Sequence, residues 1–181
     1  MGQEAEYYRR YLDGDDEGVV LLIRDCKDGL ILYLYGICKN IHDAEDYCED
    51  TFVTLVTKRP VYNGKASFKT WLYRIARNIC IDGMRRRRDT ENVDDVVIAD
   101  DSEIDELCAR AEKINAVKRL VASLETDQRE AVYLVYYDEM TVAEAAKIMR
   151  KKPNAVHQLL FRAREKLRGL LEEEGITDED V

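Results

Sequence analysis

Apolar residues recur at three- and four-residue steps along most of the chain, a period that predicts amphipathic helices. Gln3 to Leu12 reads as a short first helix that ends at Asp13-Gly14. A longer helix is expected from Asp15, with Val19, Leu22, Ile23, Leu30, Leu34 and Ile37 at helical spacing, weakened locally by Gly18 and Gly29. The pattern predicts a third helix to about Lys58, with Asp43 as its N-cap and Glu45 and Asp46 in the positive first turn. After the loop Arg59 to Ala66, Ser67 can cap a fourth helix that continues through the arginine run Arg85 to Arg88.

From Asp89 to Glu106 the period is lost and acids accumulate, which reads as a linker between two modules. Beyond it a helix is expected over roughly Ile104 to Ala122, then a turn at Leu124 to Asp127 and another helix over Gln128 to Tyr137. Thr141 followed by Glu144 is a capping box that opens a short helix to about Arg150. Pro153 suits the first turn of a last helix running to about Glu173. A short helix, a tight turn and a longer basic helix is the layout of a helix-turn-helix, although any αα-hairpin shares it.

Composition agrees with an all-α fold: Gly and Pro number only 9 and 2 among 181 residues, so strand and turn punctuation is scarce, while 46% hydrophobic content suffices for packed cores. No apolar run approaches the roughly 18 to 20 residues of a membrane span, and Met1 to Arg10 lacks an apolar signal core. The expected compartment is the cytoplasm, with no membrane insertion. The five cysteines Cys26, Cys38, Cys48, Cys80 and Cys108 are widely spaced, form no CxxC pair, and have only His42 and His157 as potential co-ligands. They are expected to be buried, reduced thiols without chemistry, and neither a metal nor a cofactor is implied.

A formal charge of −9 suggests no affinity for nucleic acid until its distribution is read. Met1 to Asp50 holds 13 acids against 5 bases, and Asp89 to Glu112 holds 10 acids against Arg110. Lys65 to Arg88 and Lys147 to Arg168 each hold 8 bases against a single acid, so two basic blocks are separated by an acidic stretch.

On the fourth helix Phe68, Trp71, Leu72, Ile75 and Ile79 are expected to form the buried stripe, which makes Trp71 a core residue rather than a stacking platform. The opposite side would carry Thr70, Arg74, Arg77, Asn78, Ile81 and Arg85. Guanidinium forks suit phosphates, and an amide can read the edge of an unstacked base. The loop before this helix adds Tyr62, Asn63 and Lys65; its Gly64-Lys65-Ala66-Ser67 lacks the earlier glycine and the strand of a P-loop. On the last helix Val156, Leu160, Ala163, Leu167 and Leu170 are expected inward, with Asn154, His157, Gln158, Phe161 and Arg162 projecting where a recognition helix meets base edges. Arg164, Lys166 and Arg168 are better placed for phosphates. No nucleophile with a base, paired carboxylates or metal spacing suggests an enzyme.

Two separate motifs resemble the sigma-70 family of bacterial RNA polymerase initiation factors, in its small extracytoplasmic-function (ECF) form. DAEDYCEDTFVTLV and FKTWLYRIARNICIDGMRRRR, within Asp43 to Arg88, are similar to sigma domain 2. LETDQREAVYLVYYDEMTVAEAAKIM and PNAVHQLLFRAREKLR, within Leu124 to Arg168, are similar to sigma domain 4. The resemblance implies domain 2 over residues 1–88, an acidic linker over 89–106, domain 4 over 107–173 and an acidic tail over 174–181. It implies that Asp46, Glu49 and Asp50 dock on the β′ clamp helices of core RNA polymerase, with the β flap as a further contact. By the same resemblance Tyr62, Asn63, Lys65, Ser67, Arg74, Arg77, Asn78 and Arg85 belong to the surface that melts the minus-ten element and holds a flipped base. Asn154, His157, Gln158, Phe161, Arg162, Arg164 and Lys166 belong to the surface for the minus-thirty-five element. Promoter DNA and an anti-sigma factor are the other implied partners, and the linker would thread toward the polymerase active site and RNA exit channel. In this chain Arg150 stands where the turn usually carries glycine, so a positive φ there would cost about 1 kcal/mol. Leu159 stands where many relatives carry a base. The rival reading is a conventional helix-turn-helix regulator that binds duplex operator alone; a helical adaptor protein is a third.

Overall fold

The computed structural model describes residues 2–90 and 120–173, and among them there is no strand. α1 (Gln3–Leu12), α2 (Glu17–Cys38), α3 (Ile41–Lys58) and α4 (Phe68–Thr90) form the first module. α5 (Thr126–Val132) runs into a π-helical turn (Tyr133–Tyr137), and α6 (Val142–Met149) and α7 (Pro153–Glu173) complete the second. Most of the expected linker, the tail, Cys108 and all of the expected helix at 104–122 except residues 120–122 lie outside the described residues. The first two residues of that linker, 89 and 90, are the end of α4.

The ends of the helices follow local chemistry. α2 stops at Lys39 in the left-handed region (φ 58°), and Asn40 then caps α3 by accepting the Asp43 amide. This corrects the expected start: the cap is Asn40, because the left-handed turn ends α2 just before it. Asp43 is instead buried inside the first turn, where Arg87 Nη2 donates to its Oδ1 at 2.6 Å. Ser67 caps α4 as expected, its Oγ accepting the Thr70 amide at 3.2 Å. The Thr141/Glu144 capping box forms, and Pro153 is the first residue of α7. Arg150 has φ 55°, so the turn does require a left-handed residue.

Leu22, Leu30, Leu34, Leu55 and Leu72 are fully buried in the first module, and Tyr8, Phe68, Trp71 and Tyr62 form an aromatic cluster at one end. Each such ring pair adds about 0.5–1.5 kcal/mol beyond the area it buries. Trp71 is half-buried there, as a packing residue. In the second module Leu134, Ile148, Val156 and Ala163 are buried, and Leu167 and Leu170 half-buried. The two cores are continuous: α2 meets α5 and the π-helical turn, and α4 meets α6. Of the described cysteines, Cys26, Cys48 and Cys80 are buried and Cys38 half-buried, all free. Burial pushes the thiols of Cys26 and Cys48 up to about 12, which keeps them protonated and unreactive.

Candidate nucleic-acid interface

Three surfaces carry the residues singled out in the sequence. On α3, Asp46, Glu49 and Asp50 are all exposed. They share that side with two exposed valines: Val53 follows Asp46 by two turns and Val56 follows Glu49 by two turns, at 56% and 38% exposure. The row is thus acidic side chains edged by exposed apolar ones. The signal was the seven-residue spacing.

On α7, Asn154, His157, Gln158, Phe161 and Arg162 are all exposed, while Val156, Leu160 and Ala163 anchor the opposite face. Phe161 is 63% exposed, its aromatic ring held out from the helix. Arg164 and Lys166 are different from the expectation of free phosphate contacts. Arg164 Nε donates to the Tyr136 hydroxyl at 2.7 Å with its guanidinium over that ring, and Lys166 Nζ donates to the Ser123 carbonyl at 2.8 Å. Both tie α7 to its own module. Lys151, in the turn, pairs with Asp127 at 2.8 Å.

The surface on α4 departs most from its sequence reading. The buried stripe is Phe68, Leu72, Tyr73, Ala76 and Cys80, with Ile75 and Ile79 only half-buried. The side expected to be open is partly covered: Thr70 is buried, and Asn78 half-buried. Only Arg74, Ile81 and Arg85 remain exposed. Arg77 forks onto Glu130 of α5, with Nε to Oε1 at 2.6 Å and Nη2 to Oε2 at 3.2 Å, and Tyr33 donates to the same Oε1 at 2.8 Å. Burial draws the Arg77 pKa down, but the bonds to Glu130 more than restore it. Lys69 and Tyr73 both reach Asp138 Oδ1, at 2.8 and 3.2 Å, and Ser67 Oγ donates to Glu144 Oε1 at 3.0 Å. In the preceding loop Tyr62 is a clasp, its hydroxyl donating to the Ala66 carbonyl at 2.6 Å, and Asn63 Oδ1 accepts the Lys65 amide to close the turn at Gly64 (φ 71°). Asn63 and Lys65 are exposed.

Arg129, Glu130 and Asp138 are buried side chains that nothing in the sequence pattern marks as such. Arg129 is 3% exposed and pairs with no carboxylate among the described residues; it donates to the backbone carbonyls of Gly36 at the end of α2 and of Leu124. Burial lowers its pKa. Among the described residues no group of His, Cys, Asp and Glu could hold a metal ion, and no helix is long and apolar enough to cross a membrane.

Two helical modules, the first with an acidic and a basic face and the second a helix-turn-helix with an exposed polar helix, define a two-module transcription protein. Residues 22–90 match Sigma-70 region 2 and residues 114–167 match Sigma-70, region 4, so the chain belongs to the sigma-70 family, in its ECF form. It is a promoter-specific transcription initiation factor, and the conventional operator-binding regulator is not favoured. Similar proteins include two from Bacillus subtilis. The ECF RNA polymerase sigma factor SigW is 25% identical over 86% of this chain and 89% of its own length. The ECF RNA polymerase sigma factor SigM is 28% identical over 81% and 90%. The fold is similar to that of the sigma factor RpoE in its co-crystal with the anti-sigma factor NepR from Bartonella quintana, with TM-score 0.63, 24% identity and 83% and 94% of the two chains covered. The family is not one of enzymes.

Proposed function

We propose that the first module, residues 1–88, docks core RNA polymerase and opens the minus-ten element, and that the second, residues 107–173, reads the minus-thirty-five element. Residues 89–106 connect them and 174–181 form a tail. Asp46, Glu49 and Asp50, with Val53 and Val56 beside them, meet the β′ clamp helices, and the second module meets the β flap. Asn63, Lys65, Arg74, Arg77, Asn78 and Arg85 hold the displaced strand, while Tyr62 and Ser67 shape the loop that captures a base. Binding energy to unstacked DNA then offsets the cost of melting without any catalysis by the chain. Asn154, His157, Gln158, Phe161 and Arg162 read base edges, with Arg164 and Lys166 near the backbone. The factor works in the cytoplasm, and an anti-sigma factor is a partner, as NepR is for RpoE.

The observation that carries this reading is the exposure of all five polar and aromatic residues on the first half of α7 while its opposite face is buried. The test is multi-round transcription with sigma-free bacterial core polymerase and a fragment library of the host genome. Discrete transcripts that need both proteins are expected; tight binding of duplex fragments by the chain alone, without transcripts, would favour an operator-binding regulator. Asp46→Lys with Glu49→Lys, at exposed sites, is expected to weaken core binding while leaving helical content unchanged, and unchanged affinity in a pull-down titration would remove the docking assignment.

A further inference from the structure

We propose that Cys38 and Cys80 are a peroxide-oxidised pair: a hydroperoxide converts the Cys38 thiolate to a sulfenic acid, and Cys80 captures it as a disulfide between the end of α2 and the middle of α4. The site lies within the first module and departs from the sequence expectation of thiols without chemistry.

The two thiols are hydrogen-bonded to each other across the contact between α2 and α4. Cys80 is fully buried in the apolar stripe of α4, whereas Cys38, the last residue of α2, is only half-buried and within reach of a small oxidant. Cys38 Sγ also donates to the Asn40 carbonyl at 3.2 Å, which places it at the junction where α2 gives way to α3. Tyr47 of α3 lies near both sulfurs, and Gly83, one turn beyond Cys80, admits its ring, since a methyl at Gly83 would overlap it. Three helices thus converge on the pair. A disulfide needs Cα atoms within about 7 Å and sulfurs at about 2.05 Å, so thiols already in hydrogen-bonding reach have little distance left to close. The other sulfur beside Cys80, Met84 Sδ at 3.9 Å, is a thioether with no proton to lose and cannot resolve a sulfenic acid.

The two sulfurs are unequal. The hydrogen bond donated by Cys80, against the effect of burial, draws the Cys38 thiol below its ordinary pKa, while the same bond and burial push Cys80 up. Cys38 is therefore the attacking sulfur and Cys80 the resolving one. In the first step the Cys38 sulfur attacks a peroxide oxygen, the O–O bond breaks, and the departing hydroxide leaves as water with the proton Cys38 gave up. Oxidation removes the thiolate that held the Cys80 proton. The Cys80 sulfur then attacks Cys38 Sγ, the S–O bond breaks, and the second hydroxide takes the Cys80 proton. With hydrogen peroxide, two thiols and one oxidant give one disulfide and two waters, and the oxidation stops at a reducible step. Cys26 and Cys48 provide the contrast. They are neighbours too, but burial pushes both up to about 12 from the ordinary 9.0. That makes the thiolate about a thousand times rarer, of which its greater nucleophilicity recovers roughly thirtyfold.

The experiment treats the full chain, reduced and then freed of reductant, with hydrogen peroxide, quenches it at intervals by alkylation and maps the cysteines by mass spectrometry. All five fall on different tryptic peptides, so each is read separately. Cys38 and Cys80 are expected to disappear together into one linked pair that dithiothreitol restores, at least about thirtyfold faster than Cys26 and Cys48 are lost. In Cys80→Ala, where the donated bond is gone, Cys38 is expected to be lost more slowly and to accumulate as a sulfenic acid that dimedone labels. In Cys38→Ser, Cys80 is expected to survive a peroxide exposure that consumes it in the full chain. The first readout uses the unaltered chain, so it stands whether or not either variant folds. Loss of Cys38 no faster than of Cys26 and Cys48 would overturn the reactive pair. A bridge from Cys38 to any other cysteine, or its oxidation to a sulfinic acid with Cys80 still free, would overturn Cys80 as the resolving partner. Unchanged loss of Cys80 in Cys38→Ser would overturn the order of attack.

Discussion

Arg77 and Arg162 have the same side chain and opposite surroundings, and surroundings decide what each can do. Arg162 stands exposed on α7 beside Gln158 and Phe161, free to reach a base edge. Arg162→Ala is expected to cost about 1–3 kcal/mol of promoter affinity, confined to promoters with the cognate upstream element. Holoenzyme binding to promoters with and without that element checks it, and an equal loss on both would make the residue a phosphate contact. Arg150 is constrained by its backbone: at φ 55° its Cβ crowds the following carbonyl. Arg150→Gly is therefore expected to raise the unfolding free energy by about 1 kcal/mol, read as an upward shift of the urea midpoint.

At the scale of elements, the sequence reads well wherever a helix has one buried face and one open one. The bounds of α1 and α7, the buried half of α7 and the capping box of α6 all follow from period and cap residues. α4 reads less well, because its apolar period reports only the core of its own module. Nothing in the spacing of Thr70, Arg77 and Asn78 shows that a second module will cover them. Nor does the run around Glu130 show a carboxylate 1% exposed, since its partners Tyr33 and Arg77 lie 97 and 53 residues away. Glu144 joins both kinds of information, as the capping residue of α6 and as a partner of Ser67. The Thr141 hydroxyl bond, opposed by partial burial and aided by the Thr141 amide, Ser67 and Thr70, holds its carboxyl below the ordinary 4.5. The folded chain thus releases this proton more readily than the unfolded one. The resulting stability is complete above pH 4.5 and is lost as pH falls through the lowered folded value. Thr141→Ala is expected to cost about 1 kcal/mol at neutral pH and to flatten that acid-side loss, seen in urea midpoints measured from about pH 6 to pH 3. An unchanged acid slope would mean that the hydroxyl does not set the Glu144 carboxyl.

At the scale of the molecule, the question is whether the two modules unfold as one unit or part first, and the Arg77–Glu130 pair distinguishes these. Removing one partner of a buried pair costs about 3–5 kcal/mol when the other has no route to water. In a chain that can undock, Glu130 regains water by parting from α4, so the loss is limited to the docking free energy. Arg77→Ala is accordingly expected to expand the molecule and to lower the unfolding free energy of each module by well under about 3 kcal/mol. The paired replacement Arg77→Met with Glu130→Leu should behave in the opposite way, since apolar groups of similar volume satisfy the same space without desolvating charge. That variant is expected to stay compact and to resist urea as well as the unaltered chain or better, while initiating transcription poorly because the modules no longer part. A loss of about 3–5 kcal/mol in a single transition for Arg77→Ala, with no expansion beforehand, would instead make the two modules one cooperative unit.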